Sequence, residues 1–162
     1  MTVLKIINLS VGLVLLILLL GAGVYLNRLL SPNKVQSETT VLLQTDPVCD
    51  LNRQACIARD HQGWVELRFK QSVKYLTRFD IEVIALGFKN QSIEKMLVDF
   101  SMVDMQMGIN RFAMTKTPKN NVWQGMAILP VCISGRRDWQ VKLQFGNSEL
   151  DYTAIYKLSV EN

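Results

Sequence analysis

From residue 39 onward the chain alternates between apolar and polar positions with a period of two. Trp139, Val141, Leu143 and Phe145 interleave with Asp138, Gln140, Lys142 and Gln144. Successive side chains of a strand point to opposite faces, so this run predicts a strand buried on one side only. Tyr152, Ala154, Tyr156 and Leu158 repeat the pattern, as do Val65, Leu67 and Phe69 against Glu66 and Arg68. Further strands are predicted over 39–45, 80–88, 95–104, 110–116 and 122–130, with 91–97 either one helical turn or the start of a strand. Turn-forming runs separate them, among them Lys89-Asn90-Gln91, Gly108-Ile109-Asn110, Pro118-Lys119-Asn120-Asn121 and Gly146-Asn147-Ser148. About eight short strands at this spacing predict an all-β domain, an antiparallel immunoglobulin-like sandwich.

The first residues follow a different rule. Residues 6–26, IINLSVGLVLLILLLGAGVYL, carry no charge. At 1.5 Å per residue they span about 31 Å, the thickness of a bilayer's hydrocarbon core. Asn8 and Ser10 sit near the start, and Tyr25 sits near the far end at interfacial depth. The run is longer than a signal-peptide core, and Gly21-Ala22-Gly23-Val24 is a poor cleavage site, so an uncleaved transmembrane helix is the favoured reading. Residues 27–38, with the breaker Ser31-Pro32-Asn33, read as a juxtamembrane linker. The expected organisation is an anchor over 1–26, a linker over 27–38 and one domain over 39–162. Lys5 on one side is nearly balanced by Arg28 and Lys34 on the other. Orientation therefore rests on the commoner plan for a short leader, a single-pass protein of the inner (cytoplasmic) membrane with its C-terminal domain extracytoplasmic. The expected contact is the lipid bilayer, through residues 6–26.

Charge narrows the partners. A net charge of +4 is mild and does not make the dense basic face of a nucleic-acid binder. Lys70, Lys74 and Arg78 form one small basic cluster and Arg136–Arg137 another. Both read as solvated faces, with partner or lipid-headgroup contact the lesser reading.

Three cysteines are present, Cys49, Cys56 and Cys132. Six residues between Cys49 and Cys56 can close a disulfide, which suits an exported domain. A pairing through Cys132 and three free thiols are the alternatives. Cys49, Cys56, His61 and Cys132 have the chemistry of a zinc or copper set but not its spacing. His61 is the single histidine and sits in the polar run Arg59-Asp60-His61-Gln62-Gly63. A Cys56–His61 nucleophile pair lacks a third residue, and no G-x-S-x-G, P-loop, dinucleotide or H-E-x-x-H motif occurs. The expectation is that the chain is not an enzyme. The absence of C-x-x-C speaks against a thiol–disulfide oxidoreductase.

The compositional anomaly is FSMVDMQMGINRFAMT over 100–115, where Met102, Met105, Met107 and Met114 lie close together in sequence. Met105 and Met107 share a face of an extended strand. Thioethers hold the soft ion Cu(I) without losing a proton, so these four are the candidate metal-facing residues. The competing reading is that they fill core gaps or pad an adaptable surface.

Four segments recur together: Cys49-x6-Cys56; Met105-Gln106-Met107-Gly108-x-Asn110-Arg111; Trp123-Gln124-Gly125; and Leu129-Pro130-Val131-Cys132-x-Ser134-Gly135-Arg136-x-Asp138-Trp139. In combination they resemble a group of small bacterial membrane-anchored proteins, themselves similar to the FixH-type and YtkA-type β-sandwich families. The resemblance covers roughly residues 46–145. It implies an accessory role in cytochrome oxidase assembly and copper supply, with Met105 and Met107 facing the metal and a membrane respiratory complex as partner. The alternative is a protein-interaction module with no metal, its methionines structural.

Overall fold

The computed structural model describes residues 20–22, 39–88, 92–105, 108–131, 135–148 and 150–160. The chain divides into two compact units, Met1–Gln36 and Ser37–Asn162. Of the first, Leu20, Gly21 and Ala22 are helical. The rest of the expected anchor and the linker lie outside the described residues. Among the described residues no helix is long and apolar enough to cross a membrane.

The second unit is a two-layer β-sandwich. Its described strands are β1 (Thr39–Leu42), β2 (Gln44–Thr45), β3 (Cys56–Arg59), β4 (Trp64–Phe69), β5 (Arg78–Leu86), β6 (Lys95–Met102), β7 (Arg111–Ala113), β8 (Thr115–Lys116), β9 (Val122–Ile128), β10 (Asp138–Gly146) and β11 (Leu150–Ser159). One sheet runs β1-β11-β10-β6-β7 and the other β2-β3-β4-β5-β9-β8. The alternation read from the sequence is the alternation of burial. Trp139, Val141, Leu143 and Phe145 are each at most 1% exposed, while Lys142 and Gln144 are half-buried on the outer face. Two aromatic groups fill the layer between the sheets. Phe69, Phe79, Phe100 and Phe112 touch one after the next, with centroids 5.0 to 5.9 Å apart, and Phe88, Phe145 and Tyr152 form the second group.

Several expectations need correction. β3 is not among the predicted strands; its four residues sit between a cysteine loop and a polar run. The segment 95–104 stops as a strand at Met102, where Met102 to Asp104 turn and Met105 folds back to bond Met102 O. The pairing is antiparallel except between β1 and β11, which run parallel. Segments 39–45 and 110–116 each break into two strands that belong to different sheets. The break falls at Leu43 in the first and Met114 in the second, both buried. Leu43 N–H donates to Thr153 O, and Met114 N–H donates to Met96 O. Each residue thus bonds one sheet while the chain passes to the other, the corner construction of stacked sheets.

These pairings sort the connections to two ends of the sandwich. Thr39 stands beside Leu150, so the chain enters at the end that carries the β3–β4, β5–β6, β8–β9 and β10–β11 connections. The opposite end carries the cysteine loop, the β4–β5 and β6–β7 connections and the β9–β10 crossing between sheets.

Candidate functional site: the loop end of the sandwich

The far end carries the cysteine loop, the β4–β5 connection and the connections that begin at Val103 and Leu129. Cys49 and Cys56 are joined in a disulfide, with Cα atoms 5.9 Å apart, and both side chains are buried. The closed loop is a strap. Asp50 Oδ1 accepts N–H bonds from Asn52 and Ser159, each at 3.0 Å. Asn52 Nδ2 donates to Ser159 O at 3.0 Å, and Asn52 Oδ1 accepts from Val73 N–H at 2.7 Å. One asparagine thus ties the disulfide loop, the end of β11 and the β4–β5 connection together. Burial pushes the Asp50 carboxyl up, but the bonds from Ser159 and Asn52 and the charge of Arg53 outweigh it and hold it below the usual carboxylate range.

The β4–β5 connection leans on the β9–β10 crossing. Tyr75 pairs with Leu129, and Leu76 N–H donates to Leu129 O at 2.9 Å. Tyr75 Oη accepts from Trp139 Nε1 at 3.3 Å and donates to Arg136 O at 3.4 Å. Leu76 has φ of 55° with its side chain 69% exposed. A left-handed backbone is strained for a leucine, and the exposed apolar surface adds to that cost.

The methionines separate. Met102 is 3% exposed and lies opposite Trp139 on the core face of β6. Met114 is 6% exposed and lies over Gly125, where an added Cβ would fall 2.5 Å from its sulfur. It stands at the β7–β8 corner, away from the loop end. Met96, which drew no attention in the sequence, is also buried. Met105 is half-buried on a concavity of about 410 Å³ that Ile109, Arg111 and Lys142 also line. Met107 and Cys132 lie outside the described residues. Among the described residues, no three His, Cys, Asp or Glu side chains come together as a metal site.

His61 sits in the β3–β4 hairpin at the entry end, its side chain 82% exposed. Cys56 begins β3 at the opposite end and is consumed in the disulfide, so the Cys56–His61 pair does not form, nor does the four-ligand set. The hairpin does border a cleft of about 500 Å³ lined by Ile57, Arg59, His61, Gly63, Trp64 and Gly87. Asp60 Oδ1 accepts the N–H groups of Gln62 and Gly63, closing an Asx turn that the run Asp60-His61-Gln62-Gly63 encodes.

Sequence reading also missed a polar clamp on the outer face of the second sheet. Arg68, Glu82 and Gln124 occupy one cross-strand row. Arg68 Nε donates to Glu82 Oε1 at 2.8 Å, and Gln124 Nε2 donates to Glu82 Oε2 at 3.0 Å. The hydrogen bond from Arg68, then that from Gln124, hold the Glu82 carboxyl below its ordinary value against the opposing effect of burial.

No family model and no curated protein matches the chain. Among solved structures, a chimeric titin Z1Z2 functionalized with a KLER exogenous peptide from decorin is similar over 74% of this chain and 73% of its own. The identity is 12% and the TM-score 0.28. At that level of superposition the likeness fixes neither topology nor role.

Proposed function

We propose that this is a non-enzymatic, membrane-anchored accessory protein whose loop end handles Cu(I) for a membrane respiratory complex. The helix over 6–26 holds an extracytoplasmic domain of immunoglobulin-like layout at the bilayer, where tethering raises its local concentration and makes weak binding sufficient. The observation that carries the reading is the β6–β10 register. Met102 lies opposite Trp139, so the connections beyond them, one beginning at Val103 and the other arriving from Val131, lie at the same end. The first carries Met105 and, in sequence, Met107; the second carries Cys132. With Cys49 and Cys56 bridged, Cys132 is the remaining thiol of three. Two thioethers and a thiolate make a soft ligand set suited to Cu(I). Met102 and Met114 drop out of it, because a buried sulfur offers the ion no entry path.

The second reading is an interaction module with no metal. The burial of Met96, Met102 and Met114 favours it, since it shows methionine used here as core filler. A Cu(I) titration under a competing chelator separates the two. Wild type should take up one ion. Met105→Leu with Met107→Leu should weaken uptake at least tenfold, and Cys132→Ser should weaken it again. Equal uptake by all variants, or none by wild type, leaves the interaction module.

A further inference from the structure

Two basic clusters some 60 residues apart in sequence meet at the loop end. Arg78 pairs with Ile128 across β5 and β9, and Leu76 is bonded to Leu129 just before the segment that leads to Arg137. Lys74, Arg78 and Arg137 are exposed there, and none has an ion-pair partner among the described residues. Between them the same end exposes aliphatic side chains. Each of its four connections contributes at least one: Val48, Leu76, Ile109 (with Val103) and Val131, exposed by 83, 69, 95 and 51%. Ile128 and Met126 continue the apolar strip down the outer side of β9.

The pattern discriminates between occupants. A shape-specific protein interface concentrates Trp, Tyr and Arg in a desolvated centre. Here Tyr75 and Trp139 are turned inward against each other, with ring centroids 6.5 Å apart, and among the described residues no aromatic ring is exposed. Single aliphatic side chains on separate loops, set among unpaired cations, suit a fluid apolar layer under anionic headgroups. The strained backbone at Leu76 places an exposed leucine where glycine or asparagine would be easier. We propose that the loop end is a second membrane-contact site, distinct from the 6–26 segment, that docks on an anionic lipid surface by inserting Leu76 and Val131 between headgroups held by Lys74, Arg78 and Arg137. It does not depend on metal binding.

The compact unit Ser37–Asn162 has its own core and disulfide, so it can be tested without the hydrophobic segment that would mask the effect. Oxidised domain should float with vesicles of phosphatidylcholine containing about a third phosphatidylglycerol, and at least tenfold less with phosphatidylcholine alone. Lys74→Gln, Arg78→Gln and Arg137→Gln together should weaken binding about tenfold or more. Leu76→Ser with Val131→Ser should do the same at unchanged charge, with melting temperature recorded to show that the fold persists. Arg59→Gln, Lys116→Gln and Lys119→Gln remove the same charge away from this end and should leave binding intact. If this control weakens binding as much as the loop-end triple, or the serine variants bind as wild type does, the association is general electrostatic adsorption and the proposal fails. Absence of binding to the anionic vesicles also overturns it and leaves the patch to an acidic protein surface.

Discussion

Met102→Ala and Met126→Ala make the same chemical change at two places the sequence cannot tell apart. Met102 is 3% exposed, faces the core opposite Trp139 and is bridged to Met105. Truncating it removes three heavy atoms and leaves a cavity of roughly 60 to 70 Å³. Lost transfer energy and cavity together cost about 3 kcal/mol. For a unit of about 125 residues the unfolding entropy is roughly 0.26 kcal/mol per degree, so the melting temperature should fall by about 11 °C. Met126 is 51% exposed on the outward side of β9, and its truncation should change stability by no more than about 0.5 kcal/mol, or about 2 °C. Thermal unfolding of the oxidised domain, followed by circular dichroism, gives both numbers. If the two variants melt within about 3 °C of each other, the burial of Met102 is wrong, and with it the reason for removing Met102 from the ligand set.

Reduction of Cys49–Cys56, or its replacement by serines, should lower stability by about 2 to 3 kcal/mol from the loop-entropy relation. A non-reduced digest should show the two cysteine peptides linked, and a bridge to Cys132 would refute the pairing. Glu82 carries a depressed carboxyl, so its contribution is present above its unfolded value near 4.5 and is lost as pH falls through the lower folded value. The gap in urea midpoint between wild type and Glu82→Gln should therefore narrow as pH falls below about 4.5, and a gap that widens on acidification would refute the sign. Gly87 has φ of +97°, and its Cβ would fall 2.6 Å from Gly63 Cα, so Gly87→Ala should destabilise by roughly 1 to 3 kcal/mol. A neutral result in chemical denaturation would mean that the two backbones are not in contact.

The sandwich was legible wherever a strand is long and wet on one side, because period-two burial writes itself into composition. β10 and β11 are the clearest cases. β3 was hidden because four residues hold too few alternations to be counted. The two corners were hidden for a different reason. Leu43 and Met114 stand inside runs that read as continuous strands, and only the partner sheets decide where the chain changes sides. The six-residue spacing permitted the Cys49–Cys56 disulfide but left a pairing through Cys132 open, and the fold closes the first. The methionines were misleading as a group. Clustering in sequence is one-dimensional, and the turn at Asp104 (φ of 58°) and the corner at Met114 send neighbours to different surroundings. The loop end was invisible as a surface, since its cations and aliphatics come from four connections that only the folded register brings together.

The two corners bear on how densely such a domain can be held. A sheet that ends in a long, straight, unpaired strand is a template for another copy. Here the outermost strands are β1 and β7 in one sheet and β2 and β8 in the other, of four, three, two and two residues. Breaking each border strand at Leu43 or Met114 divides its unpaired backbone between two sheets that face different directions. Among the described strands no border is long enough to zip against a neighbour, so crowding should bring these domains together without polymerising them.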